Sequence, residues 1–285
     1  MKIANGEHGM RLSIVVPWRD RDELRDVVPS LSKITSRYGG DLTIVNYGGD
    51  GHLLRSLLYE VGSRVTLVTV RNQRWFNKSR ALNIGAAHTV HDLIFFCDCD
   101  IILSESALDE LFSQVGSNPG AFGTLSGVKE TELNSRNAGN VVMFGYTLKL
   151  RLANGKRLEI EDNEEDAENG MRRAPGLLMV HRVNFQKVEG YNGRLHGWGW
   201  EDQDMIARLT LGGGLVRLQS GWGYHISHDD AARIRFYPPV KDRWESRDRM
   251  FRDAMLSYDR GDFTGTLTAD IADLTPFCTV EEVTP

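Results

Sequence analysis

Cysteine is scarce in this 285-residue chain, which has only Cys97, Cys99 and Cys278. An odd number without framework spacing excludes a disulfide scaffold, and Cys97 and Cys99 stand too close along one run to pair comfortably. A reducing cytoplasm is the setting this predicts. Long hydrophobic runs are also missing. No stretch approaches the roughly 18 apolar residues of a spanning helix. The opening "MKIANGEHGMRLSIVVPW" has no long apolar segment followed by a small-residue cleavage site, so neither an anchor nor a secretory leader is expected. Nor is there a surplus of positive charge. With 34 Lys and Arg against 39 Asp and Glu, the formal net charge is −5, which gives no electrostatic footprint for nucleic acid. A local basic pocket for an anionic ligand stays open.

What the chain does contain is ordinary for a globular protein with a sizeable core, at 41% hydrophobic and 26% charged residues. Short β-branched runs alternate with helical patterns. "RLSIVVPW", "DLTIVNYGG", "RVTLVTVR" and "DLIFFCD" read as four strands, separated by helices in "DRDELRDVVPSLSKI", "HLLRSLLYEVG" and "NKSRALNIGAAHTV". That order predicts an α/β fold with a mostly parallel, Rossmann-like central sheet and helices on both faces. Ligands in such sheets bind beyond the carboxyl ends of the strands.

The second half is less regular. "NVVMFGYTLKLRL" suggests a long strand or hairpin arm, Glu159 to Gly170 an acidic solvated loop, and "PGLLMVHR" a strand. "EDQDMIARLTL" is an amphipathic helix that stops at Gly212, and "KDRWESRDRMFRDAMLSY" a charged one. With no repeat and no linker, one domain over residues 10–260 is expected, followed by a weakly patterned tail, 261–285.

Chemistry enters with "HDLIFFCDCDIIL". Asp98 and Asp100 interrupt an apolar run, and in an extended chain residues two apart point the same way. Unpaired buried charge is costly. Either the strand has ended and the acids are solvated, or something positive sits between them, such as a divalent cation on hard oxygen ligands. In "YHISHDD", His225 and His228 stand three apart, close enough to share one face of a turn, and with a carboxylate they form a mixed site suited to Mn²⁺ or a similar ion. "HGWGWEDQD" offers Trp198 and Trp200 on a glycine-rich turn, where indole faces suit sugar rings, with Glu201 and Asp202 opening the next helix. Arg19 and Arg21, just past the first strand, suit phosphate or a base edge. Each feature has a bland alternative when taken alone: a solvated strand end, packed histidines, helix-dipole acids or surface ion pairs.

Their order along the chain resembles the catalytic domain of the β-1,4-galactosyltransferase family and, more broadly, metal-dependent glycosyltransferases of the GT-A fold, from about Val15 to about Asp229. Pro17-Trp18-Arg19-Asp20-Arg21 is similar to the family's P-F-R-x-R. Phe76 to Asn83, "FNKSRALN", is similar to F-N-R-A-K-x-L-N. Asp98-Cys99-Asp100 resembles D-V-D, Trp198 to Asp204 resembles W-G-G-E-D-D-D, and His225 to His228 resembles M-x-x-H with histidine in the methionine's place. The resemblance implies inverting transfer of galactose or N-acetylgalactosamine from a UDP-sugar to an acceptor saccharide. It implies Asp202 as base with Glu201 beside it, and Mn²⁺ or another divalent cation on Asp100, His225 and His228. It implies donor contacts at Pro17, Arg19, Arg21, Phe76, Asn77, Lys78, Asp98 and Trp198, and acceptor contacts at Trp198, Trp200 and Glu201. The segment after His228 takes the place of a loop that closes over the donor. A cytoplasmic enzyme, peripheral at most to the inner membrane face, is expected. Two alternatives stay open: another enzyme of the same fold, either a retaining N-acetylgalactosaminyltransferase or a bacterial polymerase-type glycosyltransferase related to chondroitin synthases, and a non-catalytic nucleotide-sugar-binding module. A nucleotidyltransferase would need a glycine-rich phosphate loop where "VVPWRDRDEL" has arginines.

Overall fold

The computed structural model describes residues 9–284; residues 1–8, on which part of the leader expectation falls, and residue 285 lie outside the described residues. The first half alternates as the sequence predicts: β1 (Leu12–Trp18), α1 (Leu24–Arg37), β2 (Asp41–Tyr47), α2 (Gly51–Val61), β3 (Val65–Val70), α3 (Lys78–Ala87), β4 (Leu93–Phe96), β5 (Ile101–Ile102), α4 (Asp109–Gly116), β6 (Ala121–Thr124) and β7 (Gly127–Glu130). Then come β8 (Gly145–Arg151), β9 (Arg157–Asn163), β10 (Met171–Arg172), β11 (Leu178–His181), α5 (Arg182–Lys187), α6 (Glu201–Ala207), β12 (Val216–Gln219), β13 (Trp222–His225), α7 (Asp230–Ile234), α8 (Arg243–Asp259), α9 (Leu267–Leu274) and β14 (Cys278–Val283).

An eight-stranded sheet ordered β12-β6-β11-β4-β1-β2-β3-β14 forms the centre, with only β11 and β14 running against the rest. Side chains alternate across it. Ile14 and Val16 on β1 join one core layer with Leu24, Leu31, Leu54 and Leu111 of α1, α2 and α4. Val15 joins the other, with Ala81, Phe185, Met205, Met250 and Leu267. Burial on both faces explains why these strands read as nearly continuous apolar runs.

Two segments differ from the sequence expectation. The first part of the acidic Glu159–Gly170 stretch is strand, because β9 pairs antiparallel with β8 and alternates, Leu158 and Ile160 buried while Glu159 and Glu161 point to solvent. Charge masked a two-residue period there. Past residue 261, α9 packs on α3, and β14 pairs with β3 from Cys278↔Val70 to Val283↔Val65, completing the sheet edge.

A second sheet, β10-β7-β13-β5, stands at the carboxyl end of the parallel strands and organises the site. β13 pairs parallel with β7, setting His225 opposite Glu130, and antiparallel with β5, setting His225 opposite Ile101, the residue after Asp100. Nothing in the sequence announces this sheet, since two of its strands are two residues long.

Candidate active site

β4 ends at Phe96, two residues before Asp98, so the strand has stopped, yet Asp100 is buried rather than solvated, and each carboxylate is paired separately with cationic or imidazole side chains. Asp98 meets Lys78 Nζ at 2.8 Å. Asp100, buried, has Arg21 Nη2 and His228 Nε2 at 3.2 and 3.3 Å and His225 Nε2 at 3.6 Å, all on one carboxylate oxygen, Oδ2. Burial works against its charge, but His225, His228 and Arg21 hold the Asp100 carboxyl well below the usual range.

One ligand atom each from Asp100, His225 and His228 lies within 4.8 Å of the others. His225 ends β13 and His228 follows a two-residue link, so a strand end rather than a helical turn brings the rings to 4.9 Å. Behind them Glu130 Oε2 meets His225 Nδ1 at 2.7 Å and accepts from Ser227 Oγ, while Arg172 Nε donates to Oε1 at 2.8 Å. Burial opposes this charge too, yet His225 and Arg172 bring the Glu130 carboxyl down to about 2. A carboxylate and two imidazole nitrogens, one ring held from behind by a second carboxylate, form a mixed N/O donor set that can hold a first-row divalent ion.

On the other wall Lys78 sits among acids. Its Nζ lies 2.8 Å from Asp98, 3.1 Å from Asp202 and 3.7 Å from Glu201. Burial alone would lower its pKa; Asp202, Asp98 and Glu201 raise it well above the ordinary lysine value. The Asp202 carboxyl is pushed up to about 7 by burial, against Lys78 and with the like charges of Glu201 and Asp98. Its Oδ2 takes the lysine, and its buried Oδ1 has no hydrogen-bond partner. Glu201 Oε2 accepts from the backbone N–H groups of Gly199 and Trp200, so that side chain ties down the turn it follows.

Pro17, Arg19, Arg21, Phe76, Lys78, Asp98, Asp100, Trp198, Glu201, Asp202, His225 and His228 line one cavity. Two residues expected at the site do not. Trp200 is only 3% exposed and packs edge-on against Phe251 of α8. Gly199, at φ 110°, lets the chain swing between the two tryptophans, leaving Trp198 in the cavity and sending Trp200 into the core. Asn77 caps α3, accepting from Arg80 N and donating to Gly193 O, and is buried. Arg19 lines the cavity but spends its guanidinium on the carbonyls of Gln73 and Arg74. The guanidinium carbons of Arg243 and Arg233 lie 5.2 and 5.7 Å from the centre of the Trp198 ring.

Sequence reasoning missed Glu130, Arg172 and Gly176. Gly176 lines the cavity, and a Cβ there would fall 2.3 Å from Asp202 Oδ2. The segment after His228 forms α7, capped by Asp229, and brings Arg233, Phe236 and Tyr237 to the cavity wall.

Residues 167–229 match the family model described as "N-terminal domain of galactosyltransferase". The chain is 27% identical over 232 residues to a putative polypeptide N-acetylgalactosaminyltransferase 13 of Drosophila melanogaster, covering 77% of this chain and 41% of that protein. It is 26% identical over 240 residues to chondroitin sulfate N-acetylgalactosaminyltransferase 2 of Homo sapiens, covering 76% of this chain and 40% of that protein. It thus spans about two fifths of the length of these relatives. The crystal structure of GalNAc-T7 with UDP, GalNAc and Mn²⁺ superposes with a TM-score of 0.56 at 14% identity, covering 95% of this chain and 57% of that one. Among the described residues no helix is long and apolar enough to cross a membrane. The chain has the GT-A glycosyltransferase fold, and its stretch carrying Trp198, Asp202, His225 and His228 matches the galactosyltransferase family model.

Proposed function

We propose that this chain transfers a hexose or N-acetylhexosamine, galactose or N-acetylgalactosamine, from a UDP-sugar to a hydroxyl of an acceptor glycan, with inversion at the anomeric carbon and with Mn²⁺ or a similar divalent cation as cofactor. One observation carries the reading: the Asp202 carboxyl, which burial pushes up to about 7, shares a cavity with a carboxylate–imidazole–imidazole cluster. Direct displacement of a diphosphate needs both a base poised near the working pH and cationic support for the leaving group.

Asp100, His225 and His228 would hold the cation, which when bound supplies Lewis-acid stabilisation of the departing diphosphate. The remaining work falls to side chains. The Asp202 carboxylate takes the acceptor hydroxyl's proton as that oxygen attacks the anomeric carbon from the face opposite the diphosphate. Lys78, expected at the nucleotide and lining the same cavity, also positions the base: bound to both Asp98 and Asp202, it ties Asp202 to the end of β4. Pro17, Arg19, Arg21 and Phe76 form the nucleotide wall; Arg19 is held there by the carbonyls of Gln73 and Arg74, and the Arg21 guanidinium suits phosphate oxygens. Trp198 and Glu201 face the sugars.

Residues 10–260 with the added α9 and β14 act as one catalytic domain. A cytoplasmic location, at most peripheral at the inner membrane face, fits three cysteines that are all unpaired.

Gly176→Ala tests how closely the base must be placed. The added methyl drives the Asp202 carboxylate off Lys78, and a displacement of about 1 Å costs about 100-fold in turnover. Steady-state kinetics on a variant with an unchanged circular-dichroism spectrum reads this; turnover equal to wild type contradicts it. The stereochemistry has its own test. Proton NMR of the first-formed glycoside should give the anomeric configuration opposite to the donor's. Retention would establish the second reading.

A further inference from the structure

Glu130 is the last residue of β7, and the strand register sets it beside His225. Its side chain is 1% exposed, and both oxygens are committed. Oε1 accepts from Arg172 Nε at 2.8 Å, and Oε2 accepts from Ser227 Oγ at 2.8 Å and contacts His225 Nδ1 at 2.7 Å. An ionised carboxylate only accepts, so the hydrogen between Glu130 and His225 belongs to the imidazole. A neutral imidazole with its proton on Nδ1 keeps a lone pair on Nε2, the nitrogen that faces Asp100 Oδ2.

We infer that Glu130, clamped by Arg172 and Ser227, is a positioning residue that locks His225 in the Nδ1–H tautomer and so makes Nε2 its metal-binding atom. This rests on the cation site put forward under Proposed function. The clamp is what makes the lock one-way. In Glu130→Gln the amide keeps its size but has one accepting end and one donating end. Arg172 holds the carbonyl, so the NH₂ turns to Nδ1, which must now accept. The ring proton moves to Nε2 and points at Asp100, where it blocks the ligand.

The test uses the full chain and Mn²⁺ alone, without nucleotide or sugar. Titration followed by electron paramagnetic resonance of free Mn²⁺ should give a dissociation constant raised about ten- to a hundredfold in Glu130→Gln, with the thermal midpoint nearly unchanged. Adding Arg172→Met frees the amide to turn its carbonyl to His225, and the double variant should recover affinity that a merely structural defect would not return. Ring ¹⁵N–¹H NMR of the metal-free protein at alkaline pH should show His225 protonated on Nδ1 in wild type and on Nε2 in Glu130→Gln. Wild-type affinity in Glu130→Gln, or an Nε2 proton in the wild-type ring, overturns the inference. Should Glu130→Gln not fold, the wild-type ring spectrum still decides. A wild-type chain that binds no Mn²⁺ would instead break the cation reading, while the spectrum continues to report the tautomer.

Discussion

Replacing Asp202 by Asn lowers turnover by about 10²–10⁴-fold and leaves Mn²⁺-dependent UDP binding within a few fold of wild type. The amide keeps the shape of the carboxylate and removes its ability to take a proton. The kcat/KM of the wild-type chain should rise with pH and level off above about 7, where the Asp202 carboxyl becomes ionised, because that profile reports the free enzyme's base. Asp202→Asn should lack this limb. The sign for stability is opposite to that of an ordinary structural acid. A carboxyl whose folded pKa is raised binds more protons folded than unfolded. Its contribution is therefore present below the ordinary carboxylate range and is lost as pH climbs towards about 7. Asn carries no charge at any pH, so the variant should melt no lower than wild type at pH 8, with Lys78 still paired to Asp98 and Glu201. A variant within a few fold of wild-type turnover, or one that keeps the rise in kcat/KM towards pH 7, removes Asp202 from the role of base.

The second large effect is at Asp100. Asp100→Ala is expected to weaken Mn²⁺ binding by at least about 100-fold, since even the outer partners of ligands are typically worth 10–100-fold. The loss is compounded by Arg21. Its guanidinium lies against Asp100 at 3.2 Å; without that carboxylate it keeps only Glu23 and stays positive beside two imidazoles. Metal titration reads the effect, and turnover should lose its response to added Mn²⁺. Unchanged affinity would show that the ion binds elsewhere.

The reach of the sequence follows from the range over which its signals act. Strands β1 to β4 were legible because each is buried on both faces and bounded by turns. Asp98, Asp100, His225 and His228 stood out only through their order along the chain, since acids and histidines at short spacing each have a bland use when taken alone. Glu130 did not, since in "GVKETE" it is one of two acids and only pairing of β7 with β13 distinguishes it from Glu132. The role of Gly176 depends on Asp202, a residue distant in sequence that packs against its missing side chain. Trp200 reads as an exposed indole in "HGWGW", yet the positive φ of Gly199 turns it into the core, a backbone event that composition does not carry. Asn77 is a polar residue whose best partners are the backbone groups of its own helix and of Gly193. Local chemistry was readable; contacts made through tertiary register were not.

The proposed activity has this cavity activate a UDP-sugar with a divalent cation. Its most direct test is release of UDP from a panel of UDP-sugars, with Mn²⁺ and with chelator, in the absence of any acceptor, where slow transfer to water stands in for the reaction. Mn²⁺-dependent release from one sugar of the panel, abolished by chelator, is the predicted result and names the donor. Silence across the panel together with no binding of UDP would contradict the account and leave a binding module, or an enzyme for a different nucleotide, in its place.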